Sequence, residues 1–309
     1  MVPHTRVPAI HLGPEYDPAL ARGIESGGGR LVPLGDAEAV VWKGGPASFP
    51  ERLPDAVRWV QLPSAGIERW FAAGLIDDDR VWTSAAGAYA PSVAEHAVLL
   101  LLAGVRGLGE QARAASWRKA EFETRVGTLR GATVAIIGCG GIGRAMIPLF
   151  RAFGAQVLAS TRSGTPVPGA VETVDASRNA ELFSRADHIV IAAPATADTA
   201  HLVDADALAR MKPAAWIVNI ARGSLIDTDA LVRALRGETI GGAALDVTDP
   251  EPLPDGHPLW SLPNAVITPH LANPSGGLPG LLAEHVRANV ERFAAGEPLL
   301  ALVDTERGY

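Results

Sequence analysis

One stretch constrains the fold more than any other. Thr133-Val-Ala-Ile-Ile runs into Gly138-Cys139-Gly140-Gly141-Ile142-Gly143, and a helical pattern follows from Ile142 to Phe153. An apolar strand that ends in G-x-G-x-x-G and opens a helix is a dinucleotide-binding turn. Gly138 permits the tight turn. Gly140 lets backbone N–H groups approach a pyrophosphate, and Gly143 lets the helix pack close on the strand. The N-terminus of that helix then offers partial positive charge to phosphates. Ile142, Ala145, Met146, Leu149 and Phe153 recur at helical spacing and are expected to form its buried stripe.

The rest of the chain repeats this alternation of strand and helix. Downstream, strands are expected at Gln156–Ser160, His188–Ala193, Trp216–Ile220, Ala243–Val247 and Val266–Thr268, with helices at Asp204–Met211 and Thr228–Leu235. Six strands with helices between them suit a doubly wound parallel sheet. Upstream, shorter β-rich runs at Arg30–Leu34, Ala39–Trp42, Arg58–Leu62 and Val81–Thr83 alternate with helical pieces such as Pro18–Glu25. That reads as a second, smaller α/β unit. Pro91–Val105 is almost wholly apolar, so it is expected to be a buried helix. The last segment, Leu278–Ala294, sets Leu282, Val286, Val290 and Phe293 on one helical stripe and is expected to return to the first unit. The fold class is therefore α/β with two Rossmann/flavodoxin-like domains. Residues 1–98 with 275–309 are expected to form a discontinuous substrate domain and residues 99–274 the cofactor domain, with substrate expected in the cleft between them.

Composition narrows the partners. At 309 residues and about 150 per domain, two domains are expected. A net charge of −7 argues against a nucleic-acid or polybasic membrane partner. The single cysteine, Cys139, allows neither an intrachain disulfide nor a multi-cysteine metal site, and no metal is expected. Pro3, Arg6 and Pro8 break up any signal-peptide apolar core. The longest apolar run, Ala97–Val105, falls far short of the ~20 residues of a membrane span. A cytoplasmic protein is expected.

The tip of the second strand of the cofactor domain bears on which dinucleotide binds. A site for NAD places an acid there, ~20 residues beyond the glycines, to hold the ribose 2′-hydroxyl. Here the tip reads Ser160-Thr161-Arg162-Ser163, and no acid occurs between Gly143 and Glu172. An arginine flanked by hydroxyls suits a 2′-phosphate through charge-assisted hydrogen bonds. NADPH is expected over NADH, with NADH possible.

Three polar residues follow later strands. Arg222 comes after Trp216–Ile220, Glu251 after Ala243–Val247, and His270 after the last strand. Ligands of open α/β sheets bind outside the carboxyl ends of the strands. The chemistry of the three is complementary. Hydride delivery to a 2-oxo acid makes an alkoxide that must be protonated, and a histidine suits that role. A carboxylate beside it would fix its tautomer. An arginine fork would hold the substrate carboxylate and polarise the neighbouring carbonyl.

With these residues in place, the sequence resembles the D-isomer-specific 2-hydroxyacid dehydrogenases. The likeness runs from Leu129-Arg-Gly to Thr268-Pro-His270, through Ala193-Pro194-Ala-Thr196, Thr199-Ala-His-Leu, Met211-Lys-Pro, Asn219-Ile-Ala-Arg222-Gly-Ser-Leu-Ile-Asp227, Leu245-Asp246-Val, Glu251-Pro-Leu-Pro and Leu259-Trp-Ser-Leu-Pro-Asn264. It is looser upstream, at Gln61-Leu-Pro-Ser-Ala65-Gly66-Ile67 and Ser92-Val-Ala-Glu95-His. The resemblance implies Arg222 as substrate binder, Glu251 as partner of the histidine and His270 as acid/base. It implies that the backbone around Ala65 and Gly66 helps hold the substrate carboxylate. Around the cofactor it implicates Gly141, Ile142, Pro194, Thr199, Ile220, Ala221 and Asp246, the last near the nicotinamide carboxamide. The strand tip Thr161-Arg162-Ser163 is similar to that of NADPH-using glyoxylate/hydroxypyruvate reductases. With the chain ending at Tyr309, no appended regulatory domain is expected, and the family implies a homodimer. The run after His270, Leu-Ala-Asn273-Pro274-Ser-Gly-Gly-Leu, departs from the usual pattern. A dinucleotide-binding sensor or corepressor on the same fold is the alternative, because fold alone does not decide function.

Overall fold

The computed structural model describes residues 6–273 and 279–305. The chain divides into two compact units, residues 1–89 with 274–309 and residues 90–273. The first unit carries β1 (Ala9–Gly13), α1 (Pro18–Ser26), β2 (Arg30–Leu31), β3 (Ala39–Trp42), β4 (Trp59–Gln61), α2 (Glu68–Ala72) and β5 (Val81–Thr83). Its five strands are all parallel, in the order β2-β1-β3-β4-β5. Asp17 starts α1 by accepting from the amides of Ala19 and Leu20, and Pro18 suits the first helical position.

The C-terminal helix, Pro279–Ala295, belongs to this unit. Leu282, Val286 and Val290 are buried with Ile10, Leu20, Ile24 and Trp59, and Phe293 packs on the same cluster. A Cβ on Gly23 would lie 2.6 Å from the carbonyl of Ala283, and one on Gly27 would lie 2.7 Å from that of Arg287. These two glycines let α1 and the C-terminal helix meet backbone to backbone. A buried polar set ties the same helix to the sheet. Asn289 donates to Gln61 Oε1 at 2.9 Å, accepts from the amide of Leu300 at 2.7 Å, and His285 Nε2 donates to the carbonyl of Ser84 at 3.1 Å. The other face of the sheet is an aromatic layer in which Phe49 packs edge-on against Trp42 and Trp70.

The second unit opens with α3 (Ala90–Val105), α4 (Leu108–Arg113) and α5 (Lys119–Glu123). It continues β6 (Thr133–Ile137), α6 (Gly141–Ala152), β7 (Gln156–Thr161), β8 (Glu172–Asp175), α7 (Asn179–Arg185), β9 (His188–Ile191), α8 (Ala205–Arg210), β10 (Trp216–Asn219), α9 (Thr228–Arg236), β11 (Gly242–Leu245) and β12 (Ala265–Ile267). The sheet is parallel throughout, in the order β12-β11-β10-β9-β6-β7-β8. After β6 the chain winds outward through β7 and β8, then returns to β9 and winds the other way. The crevice outside the carboxyl ends of β6 and β9 is thus the topological switch point where such sheets bind ligands. Helices α7, α8 and α9 bury one face with Ile137, Ile189, Ile191 and Leu245. On the other, α3 packs against α6 and against β10, β11 and β12.

Four expectations are corrected here. The sheet has seven strands rather than six, because Glu172–Asp175 pairs with β7 along its edge. Its pattern Glu-Thr-Val-Asp buries only Val174, so it shows almost no apolar signal. The smaller sheet gains β1, which is not among the expected runs; His11 interrupts its apolar pattern. The buried stripe of α6 is Gly143, Met146, Ile147 and Phe150, while Leu149 and Phe153 are 36% and 44% exposed. The expected stripe was rotated by about one position, because that helix is apolar on two sides. A boundary at residue 98 would cut α3, which lies whole in the second unit because its apolar length packs on β10 to β12. Residues 274–278, in the atypical run after His270, lie outside the described residues.

Candidate active site

The glycine turn takes the form its spacing predicts. Gly138 has φ +86°, and a Cβ there would lie 2.3 Å from Cα of Ala193. Gly143 sits at the foot of α6, where a Cβ would lie 2.9 Å from Cys139 Sγ and 3.1 Å from Ile136. Gly140 opposes nothing within 4 Å. Two glycines therefore close the turn on the protein, and the third leaves a cradle open at the start of a 12-residue helix. Burial pushes the Cys139 thiol up to about 11, against a smaller downward pull from Arg144, so it stays a packed thiol and not a nucleophile.

The tip of β7 fits a ribose. Cys139 N–H donates to the carbonyl of Ser160 at 2.6 Å, tying the glycine turn to this strand. The Ser160 hydroxyl is committed to Asn179 at 2.5 Å. The neighbouring hydroxyl of Thr161 is buried without a hydrogen-bond partner among the described residues. Arg162 and Ser163 follow it, exposed, and Ser163 shares a hydrogen bond with Thr165 at 2.7 Å. An orphaned hydroxyl, an open glycine cradle and a helix start on one sheet edge fit a dinucleotide. After β9, Thr199 donates to the carbonyl of Pro194 at 2.7 Å and accepts from the amide of Thr196 at 2.8 Å, so its hydroxyl shapes that loop.

The three catalytic candidates leave neighbouring strands. After β10, fully buried Asn219 donates to the carbonyl of Arg222 at 2.8 Å and accepts from the amide of Ala221 at 3.0 Å. That staple turns the chain through Ile220 and Ala221 and presents Arg222, whose Nη1 donates to the Ala221 carbonyl at 2.8 Å. After β11 comes Asp246, and further on Glu251. After β12 comes His270, whose Nδ1–H donates to Glu251 Oε1 at 2.7 Å. The two side chains remain 51% and 42% exposed, so the pair is open to a ligand. Its geometry leaves Nε2 for another partner. His270 has φ +55°, a left-handed conformation that costs an ordinary residue about 1–2 kcal/mol.

Asp246 holds that conformation. It is 2% exposed. Its carboxylate accepts from the Thr268 hydroxyl at 2.5 Å, from the amides of Leu271 and Ala272 at 2.8 and 3.0 Å, and from His96 Nε2 at 3.1 Å. Its carbonyl accepts from the amide of His270 at 2.8 Å. Burial alone would raise this carboxyl, but these hydrogen bonds outweigh it and hold the group at about 2. The side chain is turned onto its own unit. Sequence reasoning placed it at the cofactor and did not foresee that it organises the histidine segment; Thr268 and His96, both polar within apolar stretches, were the available signal.

In the other unit, Ala65 and Gly66 lie in the loop after β4. Ser64 donates to the carbonyl of Gly66 at 2.7 Å and its own carbonyl accepts from Ala85, so the loop is held at both ends. Ala65 is exposed. Among the described residues no cluster of His, Cys, Asp or Glu could hold a metal ion, and no helix is long and apolar enough to cross a membrane.

Comparison with known proteins then decides the family. The family model described as the NAD-binding domain of D-isomer specific 2-hydroxyacid dehydrogenases matches residues 96–272. The chain belongs to this family. As a D-2-hydroxyacid dehydrogenase it is 42% identical over 289 residues to an uncharacterized protein encoded in the proB 3′ region of Corynebacterium melassecola, covering 93% of this chain and 95% of that one. It is 35% identical over 223 residues to a glyoxylate reductase of Thermococcus onnurineus, covering 70% of this chain and 66% of that protein. Among solved structures, the D-isomer specific 2-hydroxyacid dehydrogenase of Xanthobacter autotrophicus, crystallised with NADPH and MES, superimposes with a TM-score of 0.80 at 26% identity over 98% of this chain and all of that one. The NADPH-dependent glyoxylate/hydroxypyruvate reductase SmGhrA of Sinorhizobium meliloti does so with a TM-score of 0.75 at 25% identity, again over 98% of this chain and all of that one. Two parallel α/β sheets and a nicotinamide-dinucleotide cofactor are thus properties of this dehydrogenase.

Proposed function

We propose that this dehydrogenase reduces a small 2-oxo acid of the glyoxylate or hydroxypyruvate type to the D-2-hydroxy acid, with NADPH preferred over NADH. The observation that carries the reading is the His270–Glu251 pair at 2.7 Å, one strand-end loop from Arg222 across the sheet. The nicotinamide, when bound, supplies or removes a hydride. Everything else is the work of the chain. Arg222 holds the substrate carboxylate with its planar fork and polarises the adjoining carbonyl. Glu251 accepts Nδ1–H of His270 and so aims the ring. His270 Nε2–H gives its proton to the oxygen of the carbonyl as the hydride arrives, and takes it back in the reverse direction. Ala65 and Gly66 offer backbone N–H groups to the carboxylate. Gly138 and Gly140 to Gly143 would receive the pyrophosphate, Pro194, Thr199, Ile220 and Ala221 would line the dinucleotide, and Asp246 would stand near the nicotinamide carboxamide.

The NADPH preference rests on Thr161, Arg162 and Ser163 together with the missing acid, and draws support from the NADPH-bound relatives. A working homodimer in the cytoplasm completes the proposal; Leu99, Leu149 and Phe153 leave an apolar outer face on α3 and α6. The test is nicotinamide absorbance with glyoxylate, hydroxypyruvate, pyruvate and phenylpyruvate, each with NADPH and NADH. Turnover favouring NADPH is expected. Arg162→Ala should raise KM for NADPH about 10- to 100-fold, the worth of one or two charge-assisted hydrogen bonds, and leave KM for NADH unchanged. Dinucleotide binding with no turnover on any substrate would remove the reductase reading.

A further inference from the structure

The helix α3 is apolar along nearly its whole length, yet it carries Ser92 and His96 one turn apart. Residues at i and i+4 share one face of a helix. Both reach the segment that bears His270. The Ser92 hydroxyl donates to the carbonyl of Ala272 at 2.8 Å. His96 Nε2 lies 2.9 Å from Thr268 Oγ1 and 3.1 Å from Asp246 Oδ1.

The donors and acceptors settle the direction of these bonds. Asp246 is ionised and only accepts. Thr268 gives its one hydroxyl proton to Asp246, so its oxygen can only accept from the imidazole. His96 therefore carries its proton on Nε2 and donates to both. The five residues Thr268 to Ala272 are gripped at either end by α3, and from the middle by Asp246, which takes the amides of Leu271 and Ala272. His270 stands between these grips in its left-handed conformation. Among the described residues, the His270 ring makes one side-chain hydrogen bond, to Glu251.

We propose that Ser92 and His96 are positioning residues for the reaction: through Thr268, Asp246 and Ala272 they hold the backbone conformation that aims the His270 imidazole at Glu251. The proposal rests on the reading of His270 as acid/base only for its kinetic consequence. Its structural consequence, the state of the His270 ring, does not depend on any substrate.

The experiment is a set of variants read in two ways. His96→Ala removes the donor. His96→Gln keeps an N–H where Nε2 stands. Ser92→Ala removes the second grip and deletes a single oxygen, so it tests the proposal even if His96→Ala fails to fold. In 15N-histidine-labelled protein, the His270 ring resonances are assigned by their loss in His270→Gln. His96→Ala and Ser92→Ala should lower the fraction of His270 in the Nδ1–H tautomer, and His96→Gln should keep it. In turnover, His96→Ala should lower kcat about 10- to 100-fold, as sub-ångström to ångström misplacement of a catalytic group does, with KM for the dinucleotide unchanged. His96→Gln should recover most of that loss. An unaltered His270 tautomer in both His96→Ala and Ser92→Ala overturns the proposal. So does a loss in His96→Gln equal to that in His96→Ala. If the wild-type protein turns over no 2-oxo acid while the tautomer moves as expected, the positioning role stands and the assignment of the reaction falls.

Discussion

His270 and Arg222 reach the same edge of the sheet by different means. Arg222 follows an asparagine whose amide bridges both sides of the turn, so its backbone is held locally. His270 depends on Asp246, 24 residues earlier in the chain, whose carbonyl takes its amide and whose carboxylate takes the next two. This difference separates their variants. His270→Ala should abolish most turnover while dinucleotide binding, followed by fluorescence, stays as in the wild type. Arg222→Ala should lower kcat and raise KM for the 2-oxo acid together, since its fork is used in both ground and transition states. Retained turnover in either variant would remove that residue from the mechanism. Both residues were legible in the sequence because each follows a clear apolar strand. Asp246 was expected near the cofactor, and not as the anchor of the histidine segment. That role rests on contacts with Thr268 and with His96, 150 residues away, that no local pattern encodes.

Strands and helices were readable in proportion to their apolar contrast. The central strands β6, β9 and β10 are near-continuous apolar runs buried on both faces, and the reading located them. The edge strand β8 escaped it because an edge needs few apolar side chains, and α7 escaped it because seven residues are too few to show a helical stripe. His188 shows what burial does to a polar residue at a central position. It opens β9, is 7% exposed, and its Nδ1 accepts from the amide of Trp216 at 3.2 Å. Burial pushes its imidazole down to about 4, against an upward pull from Asp187. The sign follows from linkage: the unfolded chain takes up a proton as pH falls below about 6.5, and the folded chain resists until about 4. Stability should thus be full above pH 6.5 and fall by on the order of 3 kcal/mol as pH drops through 4. His188→Asn keeps an acceptor for Trp216 and does not titrate. Urea midpoints between pH 7 and 4.5 should flatten in that variant, and equal slopes in both proteins would show that another group controls the acid limb. Asp246 acts in a lower window, losing its contribution as pH falls from about 4 towards 2.

At the scale of the whole molecule, the homodimer proposed above would use exposed apolar residues. Leu99 on α3 is 53% exposed, Phe153 at the end of α6 44%, and Trp117 between α3 and β6 91%. The double variant Leu99→Glu with Phe153→Glu should sediment at half the mass of the wild type at micromolar concentration. An unchanged sedimentation mass would place the interface elsewhere. The reading of α3 as a buried helix is corrected at Leu99, since a run of leucines does not say which of them packs inward. By itself the sequence determined the two parallel α/β units and the glycine turn, and it named the strand tip and Arg222, Glu251 and His270 as candidates. Those follow from short-range patterns: a glycine spacing, an apolar run of strand length, a polar residue just beyond it. Only the tertiary structure decided which face of α6 is buried, how Gly23 and Gly27 admit the C-terminal helix, and how α3 and Asp246 hold His270 in place. These depend on contacts between residues far apart in the chain, where close packing and hydrogen-bond pairing choose among arrangements that local pattern leaves equal.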